Sequence, residues 1–219
     1  MAAACELVVA DDPGDWARLG FAPDDGGRVA LGPLAVRLAG RAAGEGIVAL
    51  VLEGEVAGGA DGLPLVAAGS AGSARPAVSA DPAPPVGPAA SIHPNGAVAI
   101  DHVVVFTDSR DRTTSALVAA GGDERRRGGP PELPAPMAFV RFGPLVVEVA
   151  EAPGGAPRFW GLTVTVADID AAAALAGRPP RAAVQPGRRI LTVPREAGLS
   201  TALALITPRP APPGSAARG

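Results

Sequence analysis

Short β-branched apolar runs alternate with brief helical patterns along most of this chain. The clearest stretch is 100–151. IDHVVVFT is apolar and β-branched over about the length of one strand. Thr107, Asp108 and Ser109 are cap-type residues, and the helix DRTTSALVAAG stops at Gly121-Gly122. MAFVRF and LVVEVAE then read as two strands joined at Gly143-Pro144. An earlier stretch has the same order. Strand CELVVA leads into a helix over DPGDWARLGF, capped by Asp11 or Asp12 with Pro13 near its start, and then into strands RVALG and LAVRLA. Trp16 and Leu19 are three apart and face the sheet. GIVALVLEG is one more strand, whereas DGLPLVAAG shows no clear period. FWGLTVTV, a helix capped by Asp168, and the strands of AVQPGRRILTVPREAGLSTALALITP complete the pattern.

This order is an internal repeat. VALGPLAVRLAG at 29–40 matches VRFGPLVVEVAE at 140–151, and VVVFTDSRDRTTSALVAAG parallels LTVTVADIDAAAALAG. The repeat predicts βαβββ modules at 98–152 and 157–208, which pair into one unit over 98–208. It also predicts a degenerate βαβββ-like part over 1–68. Between them, 69–97 is a Pro/Ala/Gly/Ser linker with too little apolar patterning for a core. His93 to Gly96 is a turn signal, and 209–219 reads as a disordered tail. One module leaves a sheet face open, whereas two side by side enclose a cleft where residues of different strands converge. The fold class is therefore α+β, with mixed, mostly antiparallel curved sheets around a cleft.

Composition narrows the function. Aromatic residues are 3% of the chain and Tyr is absent, so Val, Leu, Ala and Ile must build the core. Every basic residue is Arg. A net charge of -3 gives no general attraction to nucleic acid, and Arg125-Arg126-Arg127 reads as part of a solvated loop over 125–136 that can rim a site. The single Cys5 excludes an internal disulfide. No apolar run reaches the ~20 residues of a membrane span, and the N-terminus lacks the basic start of a signal peptide. These features predict a cytoplasmic protein, monomer or homodimer, whose partner is a small molecule rather than nucleic acid or membrane.

Four segments in order, DHVVVFT, S-x-D-R at the helix start, GPLVVEV and VADIDA, resemble the vicinal oxygen chelate superfamily of glyoxalase I, bleomycin-resistance-type proteins and extradiol dioxygenases. The resemblance covers 98–208 and implies the glyoxalase/bleomycin-resistance-like fold. It also implies a divalent metal in the cleft (Zn, Ni, Mn or Fe(II)), held by His and Glu from the first and last strands of each module. On that basis His102 and Glu148 are the metal ligands and catalytic residues. The set is incomplete. Counting from the helix starts at Ser109 and Asp168, Gly161 stands where the second His would be, and the last strand, LSTALALIT, has no His, Asp or Glu. In the N-terminal copy the equivalent positions are Glu6 and Arg37. If no metal binds, His102 and Glu148 are expected to form a hydrogen-bonded pair.

Arg141, Trp160, Gln185 and Arg188 are the expected substrate-binding residues. Arg141 alternates with apolar residues on its strand, Trp160 can wall the pocket, and Gln185 and Arg188 flank a strand start where a guanidinium can meet an anion. Three readings stay open. One is a small-molecule-binding protein with an incomplete metal set and no cofactor. The second is an active metal-dependent lyase, isomerase or ring-cleaving dioxygenase. The third is an assembly protein in which the 1–68 part substitutes for a dimer partner.

Overall fold

The computed structural model describes residues 2–54, 56, 60–69, 93–129 and 136–210. Most of the expected linker, residues 130–135 of the expected loop, and the tail from 211 lie outside the described residues.

Two sheets contain all the described strands. The first has β1 (Ala3–Val9), β2 (Arg28–Leu31), β3 (Leu34–Leu38), β4 (Ile47–Glu53) and β5 (Leu65–Ala67), in the order β2-β3-β1-β4-β5. Helix α1 (Pro13–Arg18) joins β1 to β2. The second sheet has β6 (Ala97–Thr107), β7 (Asp123–Arg127), β8 (Met137–Phe142), β9 (Leu145–Glu151), β10 (Arg158–Val166), β11 (Arg181–Ala182), β12 (Arg189–Thr192) and β13 (Ala202–Ile206). Their order is β11-β12-β13-β10-β6-β9-β8-β7. Helix α2 (Arg110–Ala119) follows β6, and α3 (Ile169–Ala176) follows β10.

The pairing explains the repeat. β6 runs parallel to β9 and β10 runs parallel to β13, a geometry that needs a long crossover. In each half that crossover is a helix and two strands. The halves join where β6 meets β10 antiparallel, giving two βαβββ modules in one sheet. In the first sheet β1 is parallel to β3 and antiparallel to β4, which is parallel to β5. Its order therefore repeats the central five strands of the larger sheet, β8-β9-β6-β10-β13. Both copies turn from one strand to the next at Gly-Pro, where Gly32 and Gly143 have φ of 64° and 57°. A glycine-first two-residue hairpin needs that positive φ.

The helix ends follow the sequence signals in part. Ser109 and Asp168 accept backbone N–H bonds as caps of α2 and α3. Asp12 is the first residue of the α1 cap but makes no side-chain cap bond. Its neighbour Asp11 is fully buried and accepts from Trp16 Nε1 at 3.1 Å and from Ser200 N at 2.6 Å. Two strands differ from expectation. Arg125 to Arg127 belong to β7, a strand at the sheet edge whose polar sequence gives no apolar alternation. Leu65–Ala67 adds to β4 despite its lack of period.

One continuous core joins both sheets. It includes Leu7, Val9, Leu50 and Leu52 from the first, Val103, Val105, Leu162 and Val164 from the second, and Leu117 and Ile169 from the helices. The end of the expected linker is fixed to the first unit. His93 Nδ1 accepts from Ala22 N–H at 3.0 Å, so Nε2–H donates to Ala30 O at 2.8 Å. Asn95 Nδ2 donates to Leu19 O at 2.9 Å. His93 is thus a buried clamp as well as the first residue of a turn. No described helix is long and apolar enough to cross a membrane.

Candidate functional site

His102 and Glu148 lie on the face of the large sheet opposite its core. β6 alternates Val103 and Val105 into the core with His102, Val104 and Phe106 on the other side. Val104 pairs with Glu148 in register, and Glu148 pairs with Phe139 on β8. Residues directly opposite share a face, so Glu148, Phe139, Val104, His102 and Phe106 line one surface. Thr163, the partner of His102 on β10, joins them.

Two bulges shape this surface. Across β6 and β10 the register passes from Ile100 to His102 while the partner advances by one residue, which leaves Asp101 as the extra residue. On β10 the extra residue is Trp160, between Phe159 and Gly161. A bulge re-aims side chains that would otherwise alternate. Asp101 can then reach its own neighbour: His102 Nδ1 lies 2.9 Å from Asp101 Oδ2. An ionised carboxylate only accepts, so Nδ1 carries the proton. Nε2 is left facing Thr163 Oγ1 at 3.1 Å and Glu148 Oε2 at 3.9 Å. His102 and Glu148 therefore approach each other without the direct hydrogen bond expected between them.

Asp101 is in turn held by Arg188, whose Nη2 donates to Asp101 Oδ1 at 2.6 Å and whose Nε donates to Thr207 O at 2.7 Å. Burial alone would push the Asp101 carboxyl up. The hydrogen bonds from His102 and Arg188 outweigh it and hold the carboxyl well below the usual carboxylate range. Glu148 is the opposite case. Its side chain is 17% exposed and accepts no hydrogen bond among the described residues. Burial pushes its carboxyl above the ordinary value, with only a partial counter-effect from the His102 charge.

The other expected residues fall in different places. Arg188 is 4% exposed and spent on Asp101, Thr207 and, at 3.5 Å, Gln185. Nε, Nη1 and Nη2 each donate one of these hydrogen bonds, so Arg188 braces Asp101 and keeps further N–H groups on Nη1 and Nη2. Gln185 is exposed beside it. Arg141 is exposed, donates to Gly143 O at 2.6 Å, and lines a cavity of about 460 Å³ with Asp101, Arg125, Val146, Thr165 and Arg209. Val146 precedes Glu148 by two residues, so this cavity opens on the face that carries Glu148. Trp160 is exposed and rests on Phe106 at a centroid distance of 5.0 Å. Arg126 sits 4.6 Å over Phe139. Asp101, Thr163, Phe106 and Phe139 were not singled out from sequence. Asp101 had a legible signal, an acid inside a β-branched run immediately before the histidine.

No family model matches the chain, and no curated protein matches it. Several solved structures are similar. A methylmalonyl-CoA epimerase from Mycobacterium tuberculosis has a TM-score of 0.44 and 14% identity, covering 53% of this chain and 91% of that one. A Streptomyces coelicolor methylmalonyl-CoA epimerase in complex with 2-nitronate-propionyl-CoA has a TM-score of 0.41 and 16% identity, covering 49% and 95%. A hypothetical protein from Bacillus halodurans C-125 has a TM-score of 0.43 and 10% identity, covering 52% and 96%. The paired βαβββ arrangement is the one that the sequence resemblance to the vicinal oxygen chelate superfamily implies. The strand order and the antiparallel junction of the two modules display it directly.

That superfamily resemblance implies a metal, and the residues do not fit one. Glu148 pairs with Val104, two positions after His102; Thr163, two positions after Gly161, pairs with Ala204. The second module therefore offers glycine and alanine where the first offers His102 and Glu148. A side chain at Gly161 also has no room, because its Cβ would lie 2.3 Å from Ala202 O. No three His, Cys, Asp or Glu side chains gather as a metal site among the described residues. Two protein donors fall short of the three or more that hold catalytic Zn or Fe(II). In the small sheet, the positions of His102 and Glu148 are taken by Glu6 and Arg37, which pair with each other at 2.8 Å.

Proposed function

We propose that this protein binds a small organic molecule on the open face of the eight-stranded sheet, with Glu148 and His102 turned toward it. The observation that carries this reading is the state of Glu148. A half-buried carboxylate normally has hydrogen-bond donors. Glu148 has none among the described residues, faces a neighbouring imidazole, and has its proton affinity raised by burial. Such a group suits contact with a ligand hydroxyl, amide or acidic C–H. Asp101 and Arg188 supply the rigid support: they fix the His102 proton on Nδ1 and leave Nε2 toward the ligand side. Phe106 and Phe139 give apolar walls, and the cavity beside Arg141 gives room for a polar end.

The same pair could move a proton between Glu148 and His102 on a bound carbonyl compound without a metal. A metal-dependent lyase, isomerase or dioxygenase would need further ligands beyond these two. Thermal melting tests the binding reading. The wild type, Glu148→Gln and His102→Ala are melted with α-keto acids, acyl thioesters and catechols. Binding predicts that one class raises the wild-type Tm, because a ligand at a hundred times its Kd stabilises by about 2.7 kcal/mol. That rise disappears in both variants. A rise of equal size in Glu148→Gln, or none in any class, contradicts the reading.

A further inference from the structure

A larger cavity, of about 920 Å³, lies between the two units. One wall is residues 43–48 with Gly62 and Pro64 of the first unit; the other is 157–160 with 192–195 and 199–202 of the second module. This volume is within the range of small-molecule sites. Ile47, Phe159 and Val193 are buried and form an apolar floor.

Three lining side chains are left open by the fold. Trp160 is 47% exposed although it stacks on Phe106, because the bulge in β10 turns it outward. Arg158 lies 5.9 Å from the Phe106 ring and has no carboxylate partner among the described residues. Arg195 is exposed, and its guanidinium has no hydrogen-bond or ion-pair partner among the described residues. Most other arginines of this chain are paired, including Arg41, Arg112, Arg127 and Arg189. Glu45 is the one acidic side chain among the described residues that line the cavity, and they carry two guanidinium groups, Arg158 and Arg195.

We propose that this crevice is a second binding site, for a small aromatic anion. The ring lies against Trp160, and its carboxylate or phosphate meets Arg158 and Arg195. A simple inorganic anion leaves the indole unused. A neutral aromatic leaves both guanidinium groups without an anion. A planar anion satisfies both, through stacking and charge-assisted hydrogen bonds. The site requires both units, and it does not depend on the reading of Glu148.

Intrinsic fluorescence tests it on the full chain. Trp16 is fully buried, so a ligand-dependent change in the exposed signal reports Trp160. The probes are benzoate and phenyl phosphate, with inorganic phosphate and benzyl alcohol as half-ligands. The expected result is a saturable change with one or both aromatic anions; whichever binds tighter identifies the acid group. Half-ligands bind at least about tenfold more weakly, and Arg195→Gln loses about tenfold in affinity, the scale of one charge-assisted contact. Arg195→Lys recovers part of that loss, and Glu148→Gln leaves binding unchanged. No saturable change below ~10 mM, a Kd worth only a few kcal/mol, overturns the proposal. So does equal binding by Arg195→Gln, or a loss in Glu148→Gln, which would place the ligand over the acid–base pair.

Discussion

The side chains of Arg188 and Asp101 are only 2% and 8% exposed, so removing either leaves the other's charge short of its main partner away from water. Replacing one partner of such a pair typically costs about 3–5 kcal/mol. Arg188→Met should show that loss in urea denaturation, and Arg188→Met/Asp101→Asn should recover most of it. A loss under ~1 kcal/mol in the single variant would mean that the pair holds little. Acid gives an independent check. Asp101 has a folded pKa depressed below its unfolded value of about 3.9, so its contribution is present above that value and is lost as pH falls through the folded pKa. The wild type should therefore lose its advantage over Asp101→Asn from about pH 5 downward. Glu148 runs the other way. Its raised pKa adds stability at low pH that is lost as pH rises. At this scale His102 and Glu148 were legible as polar residues inside apolar strands. Their geometry was not, because it depends on a bulge. No sequence period marks the extra residue that turns Asp101 onto the face of His102.

At the scale of elements, the repeated Gly-Pro hairpin and the strand-helix start revealed the modules, because apolar period and turn chemistry act locally. β7 escaped notice for a physical reason: Asp123–Arg127 lies on a sheet edge, and its partly buried face needs no apolar stripe. β10 shows why the metal set cannot be rebuilt by one substitution. Gly161 lies so close to β13 that a Cβ would meet the Ala202 backbone. Gly161→Ala should destabilise by about 1–3 kcal/mol, the usual cost of forcing extra volume into a packed site. Chemical denaturation reads the loss, and an unchanged midpoint would show that β10 and β13 separate freely. The small sheet holds the same bulge at the equivalent position. Cys5 is the extra residue before Glu6, as Asp101 is before His102. The small sheet thus has the same backbone device, with a Glu6–Arg37 ion pair at the positions of His102 and Glu148.

For the whole molecule, the notable outcome is that one core serves both sheets. Composition predicted that Val, Leu, Ala and Ile would fill it. The sequence could not say how 1–68 packs, since packing between units rests on long-range ties such as Ser200 to Asp11 and Thr113 to Asp61. Deleting residues 1–68 would uncover the core face of the large sheet around Val103, Val105 and Leu162. Such a patch drives association. The truncated chain should elute as an oligomer or aggregate in size-exclusion chromatography, whereas an unchanged monomeric, soluble species would show that the units fold and stay soluble independently.

The most direct test of the two-donor site is metal retention. Purified wild type and His102→Ala/Glu148→Ala are incubated with Zn, Ni, Mn and Fe(II), desalted, and measured for metal per chain. We predict no stoichiometric metal in either protein, because Gly161 and Ala204 supply no ligands. About one equivalent in the wild type that is lost in the double variant would contradict the account and return the site to metal chemistry.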